Sequence, residues 1–147
     1  LISNSVKVVD DIIASSNSIL ANSMFKLDHY YTNSEYKKTA NQMLTNLKNE
    51  VLETPSGYSN WLQLMLNYSR PFFEVAITGK NVDSIKKEIL GYYIPNIIIA
   101  GSKKENNSIP LLENKFIEDE TFIYVCNLGT CKLPQKNLIE AVQLISK

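Results

Sequence analysis

The side chains of this sequence whose types and spacing could do chemistry are two cysteines, a histidine and a short serine-asparagine run. Cys126 and Cys131 are separated by four residues. That spacing suits neither the two-residue interval of a dithiol redox motif nor a four-ligand zinc site, since no second cysteine pair exists and His29 is the one histidine. Placed across a loop, the pair could still close as a disulfide or leave a reactive thiol. Cys131 is expected near the amino end of the last helix, where the dipole favours thiolate. The competing reading is of two buried, structural cysteines. No metal and no cofactor is expected.

Ser16, Asn17 and Ser18 read as helix-start residues whose hydroxyl and amide groups could together bind a sugar or another small polar ligand. His29 follows Asp28 near the end of the same helix and is expected at the surface, where a cationic imidazole interacts favourably with the helix carboxyl end. Asp10 and Asp11 are adjacent and do not form an acid/base couple. If three strands run parallel, Thr78-Gly79-Lys80, Gly101-Ser102-Lys103-Lys104 and the Cys126–Cys131 loop share one sheet edge, where open α/β sheets bind ligands. Gly79-Lys80 lacks the preceding glycine of a phosphate loop, so ordinary strand-to-helix turns are expected there, and Lys103 and Lys104 belong to a solvated loop.

These groups must be positioned by two regions of different period. Residues 1–70 read as helical. Ile19, Leu20, Met24, Leu27 and Tyr31 recur at helical spacing over Ser16–Tyr31. Thr32-Asn33-Ser34-Glu35 fits a capping box with Thr32 as the cap of a second helix, whose inner stripe is Tyr36, Ala40, Met43, Leu44, Leu47 and Val51. Pro55-Ser56-Gly57 ends it, and a third helix capped by Ser59 carries Trp61, Leu62, Leu64, Met65 and Tyr68. Residues 71–147 read as α/β: a strand over Phe73–Thr78, a helix over Val82–Tyr93 with Ile85, Ile89 and Leu90 inward, and a strand over Asn96–Ala100. A third strand spans Thr121–Cys126, and a closing helix carries Leu138, Ala141, Val142 and Ile145. The predicted fold class is therefore mixed α+β, a helical hairpin region followed by a small three-stranded parallel α/β segment.

Composition narrows the function. Fifteen basic and fifteen acidic residues cancel in a chain of 147 that is 44% apolar. No net positive field exists to collect phosphate backbones, so nucleic acid is not an expected partner. Apolar runs such as Ile97 to Ala100 are strand-sized, so no membrane span is expected. Two cysteines are too few for a secreted disulfide framework, which predicts a cytoplasmic location. The opening Leu1-Ile2-Ser3-Asn4 is read as a cut within a longer protein.

The stretch Phe122-Ile123-Tyr124-Val125-Cys126-Asn127-Leu128-Gly129-Thr130-Cys131-Lys132-Leu133-Pro134 resembles the carboxyl end of the large thioredoxin-domain-containing proteins of the spermatogenesis-associated type. Asp10 to Ser18, Pro55 to Trp61 and Phe73 to Gly79 fit the same family, so the resemblance covers almost the whole chain. It implies an amino-terminal thioredoxin-like domain elsewhere in the parent, then an α/α toroid similar to sugar epimerases and glycosidases, of which residues 1–70 are the last helices. A small carboxyl-terminal α/β segment, residues 71–147, follows. Of the family motif, Cys126, Cys131 and Ser16-Asn17-Ser18 are present. The expected role is a structural and interaction module without activity of its own, partnered by the remainder of the parent chain. The alternatives are part of a carbohydrate-active toroid enzyme, or a thiol redox accessory segment. Helix faces left uncovered by an incomplete toroid also predict self-association.

Overall fold

The structure, a computed structural model, describes residues 7–145, so the Leu1–Asn4 opening lies outside it. The fold is mixed α+β, with helices α1 (Ser16–Tyr31), α2 (Ser34–Asn46), α3 (Lys48–Glu53) and α4 (Ser59–Ser69) preceding the first strand. Strand β1 (Phe73–Thr78), helix α5 (Val82–Ile89) and strand β2 (Ile97–Ser102) follow, then β3 (Phe122–Asn127), β4 (Thr130–Cys131) and helix α6 (Leu138–Ile145). Two compact units emerge: residues 7–28 with 33–70, and residues 29–32 with 71–145. No helix among the described residues is long and apolar enough to cross a membrane.

In the first unit the inner face of α1 is not the predicted stripe. Ser18, Ala21 and Phe25 are buried, whereas Ile19, Leu20 and Tyr31 stand exposed. Small residues at the three- and four-residue spacing let neighbouring backbone approach closely, and the buried polar partner of Ser18 fixes which face turns inward. The second helix is capped by Asn33 and not by Thr32: the Asn33 side chain accepts from the Glu35 amide, and Thr32 sits at a φ of 51°. Its inner stripe holds, with Ala40, Leu44 and Val51 buried, but the helix breaks at Leu47 into α2 and α3. Trp61 and Leu64 of α4 complete this core.

The second unit is built on a four-stranded sheet in the order β2-β1-β3-β4. β1 and β2 are parallel across the α5 crossover, from Phe73 opposite Ile97 to Thr78 opposite Ser102. The expected third parallel strand is instead antiparallel: β3 pairs with the free side of β1, Phe122 opposite Thr78 and Cys126 opposite Glu74. No helix spans residues 103–121 to carry the chain back across the sheet, so it re-enters at the end where β2 finished. A fourth strand, absent from the sequence reading, closes a hairpin with β3. α5 also stops at Ile89, four residues before the predicted end, because Gly91 and Pro95 cannot continue it, and Leu90 is exposed.

Side chains alternate across this sheet. Val75, Ile77, Ile123 and Val125 face a core shared with Val82 and Ile89 of α5 and Ala141 and Ile145 of α6. Glu74, Ala76 and Thr78 face the other way, with Tyr124 and Cys126 beside them.

Candidate functional site

The antiparallel β3 dissolves the shared edge that a parallel sheet would have had. Thr78, Gly79 and Ser102 lie at one end of the sheet, while Cys126 and Cys131 lie at the other. At the first end Gly79 is not open for a ligand backbone to approach: a Cβ on it would meet the Glu120 carbonyl oxygen and the Thr121 Cα. The lysines there are engaged at the surface, Lys80 with Asp119 and Lys103 with Asp83, pairs worth little in stability.

At the second end the cysteines are joined. Cys126 and Cys131 face each other directly across β3 and β4, their Cα atoms 3.8 Å apart, as a cross-strand disulfide. The two-residue turn between the strands is Leu128-Gly129, both with positive φ, 50° and 77°. That is the geometry of a type I′ hairpin, whose first central position favours Asn or Asp, and a leucine held there costs about 1–2 kcal/mol. Asn127 steadies the near side of the hairpin by donating from its amide to the Phe72 carbonyl. Cys126 is 2% exposed, whereas Cys131 is on the open edge strand. Cys131 therefore does not sit at the amino end of α6, which starts seven residues later at Leu138.

Behind the bridge lies a polar pair that the sequence reading missed. Glu74 is buried in the middle of the sheet, directly opposite Cys126, and its Oε1 lies 2.6 Å from His29 Nδ1. Both side chains are more than nine-tenths buried. His29 is thus not a surface capping residue: its ring stands 4.8 Å from that of Phe72, over the sheet face. Tyr30, its neighbour, donates to the Ile99 carbonyl. The Lys115 carbonyl accepts from both Thr78 and Tyr124, which lays its segment over the same face. Burial lowers the Lys115 ammonium below the ordinary lysine value, although Glu113 and Glu74 oppose this, and burial raises the Tyr124 phenol. A signal for Glu74 was available: one carboxylate in an apolar strand whose neighbours on both sides are buried needs a partner.

The Ser16-Asn17-Ser18 run is not gathered into one site. Ser18 is fully buried and donates to Asp10 Oδ1 at 2.6 Å, while the Asn17 amide donates to the Lys7 carbonyl and Ser16 is exposed. Asp10 is the centre of this region. Its carboxylate also accepts from the Ser15 amide at 2.9 Å and the Asn60 amide at 2.8 Å, at the starts of α1 and α4. Burial pushes its pKa up, but the hydrogen bonds from Ser18, Ser15 and Asn60 outweigh it and hold the carboxyl below its ordinary value. A cleft of about 590 Å³ beside it is lined by Lys7, Asp10, Asp11, Ile12 and Ser56. No protein-family model matches the chain, and no curated protein or solved structure matches it either.

Proposed function

We propose that this chain is a non-catalytic carboxyl-terminal module of a thioredoxin-domain-containing protein, and that its Cys126–Cys131 bridge is opened and closed by a dithiol partner. The observation that carries the reading is the bridge itself, with one sulfur on an exposed edge strand and the other beneath it. A partner thiolate attacks the accessible Cys131 Sγ, and Cys126 leaves as thiolate. The partner's second thiolate then attacks the mixed disulfide and expels Cys131, leaving a dithiol hairpin and an oxidised partner. Opening is local, because the bridge closes a loop with a sequence separation of 5, worth about 2 kcal/mol by chain entropy. The resemblance of Phe122 to Pro134 supplies the partner's class, a thioredoxin-like domain in the remainder of the parent chain. A bridge that cycles is also what a cytoplasmic location requires, since static disulfides do not persist there.

The test is to incubate the oxidised chain with a reduced thioredoxin-class protein at neutral pH and count labelled thiols by mass. Both cysteines are expected to label while circular dichroism stays unchanged, and a partner whose second cysteine is replaced by serine should remain trapped on the oxidised chain as a mixed disulfide through Cys131. A bridge reduced solely after denaturation overturns the reading. The carbohydrate-site alternative draws less support, because the Ser18 hydroxyl and Asn17 amide are committed to Asp10 and Lys7.

Self-association is part of the same proposal. Ile12 is 98% and Ile13 74% exposed ahead of α1, and Ile19 and Leu20 are exposed on it. Sedimentation is expected to show a dimer or larger species that an Ile12→Asp, Ile13→Asp double variant reduces to monomer. A strictly monomeric wild-type chain at high concentration would refute it.

A further inference from the structure

Ile98, Glu74, Cys126 and Cys131 occupy one lateral row across β2, β1, β3 and β4, each directly opposite the next. Directly opposed residues in antiparallel strands project to the same face with Cβ atoms about 4.5–5.5 Å apart. Glu74, joined through its carboxylate to His29 Nδ1, is therefore the immediate lateral neighbour of the buried Cys126 on the same sheet face. Opening the bridge places a second negative charge, the Cys126 thiolate, on a buried residue that faces Glu74 across the strand pair. Two such charges are strongly opposed unless a proton arrives. The His29–Glu74 hydrogen bond holds one within the pair.

We infer that the His29–Glu74 pair is the proton store of the bridge: Glu74 exchanges the proton with Cys126 Sγ, and His29 positions and recharges Glu74. This rests on the redox reading proposed above. On reduction, a thiolate of a dithiol protein or of glutathione bonds to Cys131 Sγ, the Sγ–Sγ bond breaks, and the departing Cys126 sulfur takes a proton from the pair. On closure, the Cys126 thiol returns its proton to Glu74, and its sulfur attacks the mixed disulfide at Cys131, expelling the partner thiolate. The other ionisable groups on this face are Lys115 from the segment laid over it, Tyr124 on β3, and Tyr30 beside His29 on α1. Of these, Tyr30 is tied to the Ile99 carbonyl and Tyr124 to that of Lys115.

The experiment is the pH dependence of closure in the full chain. The reduced protein is mixed with oxidised glutathione, which transfers one glutathione to Cys131 and releases the other as thiolate, and the rate at which Cys126 expels the bound one is followed from about pH 5 to about pH 9 for wild type, Glu74→Gln and His29→Gln. Removing the carboxylate lifts its opposition to thiolate, which by itself speeds closure, so a slowing has one source. Glu74→Gln is expected to slow closure about 100-fold near pH 6 and leave a plain tenfold rise per pH unit, with His29→Gln slowed less. Superimposable profiles overturn the inference while leaving the redox reading intact; a bridge that never opens in the folded chain overturns both. Wild type provides a check independent of variant folding. His29 is the sole histidine, and in the reduced chain its ring resonances should show an inflection shared with Cys126 ionisation. Its absence overturns the inference too.

Discussion

Asp10→Ala is expected to destabilise the first unit by about 3–5 kcal/mol and to lower its melting temperature by on the order of 10 °C. The carboxylate is 4% exposed and accepts three hydrogen bonds, from the Ser15 amide, the Ser18 hydroxyl and the Asn60 amide. Two of those donors are backbone groups at helix starts, where the partial positive charge of the helix also favours an anion. Alanine strands the two backbone donors, while the Ser18 hydroxyl keeps the Ser15 carbonyl as acceptor, and stranding a buried donor costs more than the net worth of its bond. Asp10→Asn keeps the shape but turns an amide N–H toward donors, so an intermediate loss is expected. The pH dependence has a definite sign. The folded pKa is lowered from 3.8, so the stabilisation is fully present above that value and is lost as pH falls through the lower folded value. The gap between wild type and Asp10→Asn should therefore close in acid. A constant gap down to the acid transition would remove the charged network from the explanation.

Gly79→Ala is expected to cost a similar 3–5 kcal/mol in the second unit, read by urea denaturation. Gly79 has a φ of 115°, and a Cβ there would meet the Glu120 carbonyl oxygen at 2.1 Å and the Thr121 Cα at 2.7 Å. Those atoms are the backbone entering β3, so relief requires shifting one of the two inner strands of the sheet. Gly129→Ala is the control. It also has positive φ, 77°, but nothing lies within 4 Å of its Cβ, so conformational strain alone remains, about 1–2 kcal/mol. Equal losses at the two glycines would show that crowding at Gly79 contributes nothing.

These two sites mark where sequence reasoning reached and where it stopped. The alternation from Phe73 to Thr78 and the crossover after it are local patterns, and β1, α5 and β2 follow from them. Likewise Ala40, Leu44 and Val51 form a stripe because their helices have one apolar side. The inner face of α1 was not legible, because two faces compete there and a buried Asp10–Ser18 bond, eight residues apart in sequence, decides between them. Strand direction for β3 is a matter of where residues 103–121 return, which no period encodes. His29 and Glu74 are separated by 45 residues, so neither signals the other until the chain folds. Cys126 and Cys131 were legible as a pair, but the Leu128-Gly129 turn that opposes them is not one that residue preferences favour.

The most direct measurement of the central proposal is an equilibrium redox titration of the native chain in glutathione buffers, with the thiol state read by mass after rapid alkylation. An exposed bridge across a short hairpin is expected to open reversibly with a midpoint above about −300 mV, in the range of exchanging dithiols, while far-ultraviolet circular dichroism holds constant. A midpoint below that range, or opening that coincides with unfolding, would make Cys126–Cys131 a structural clasp and contradict a redox role.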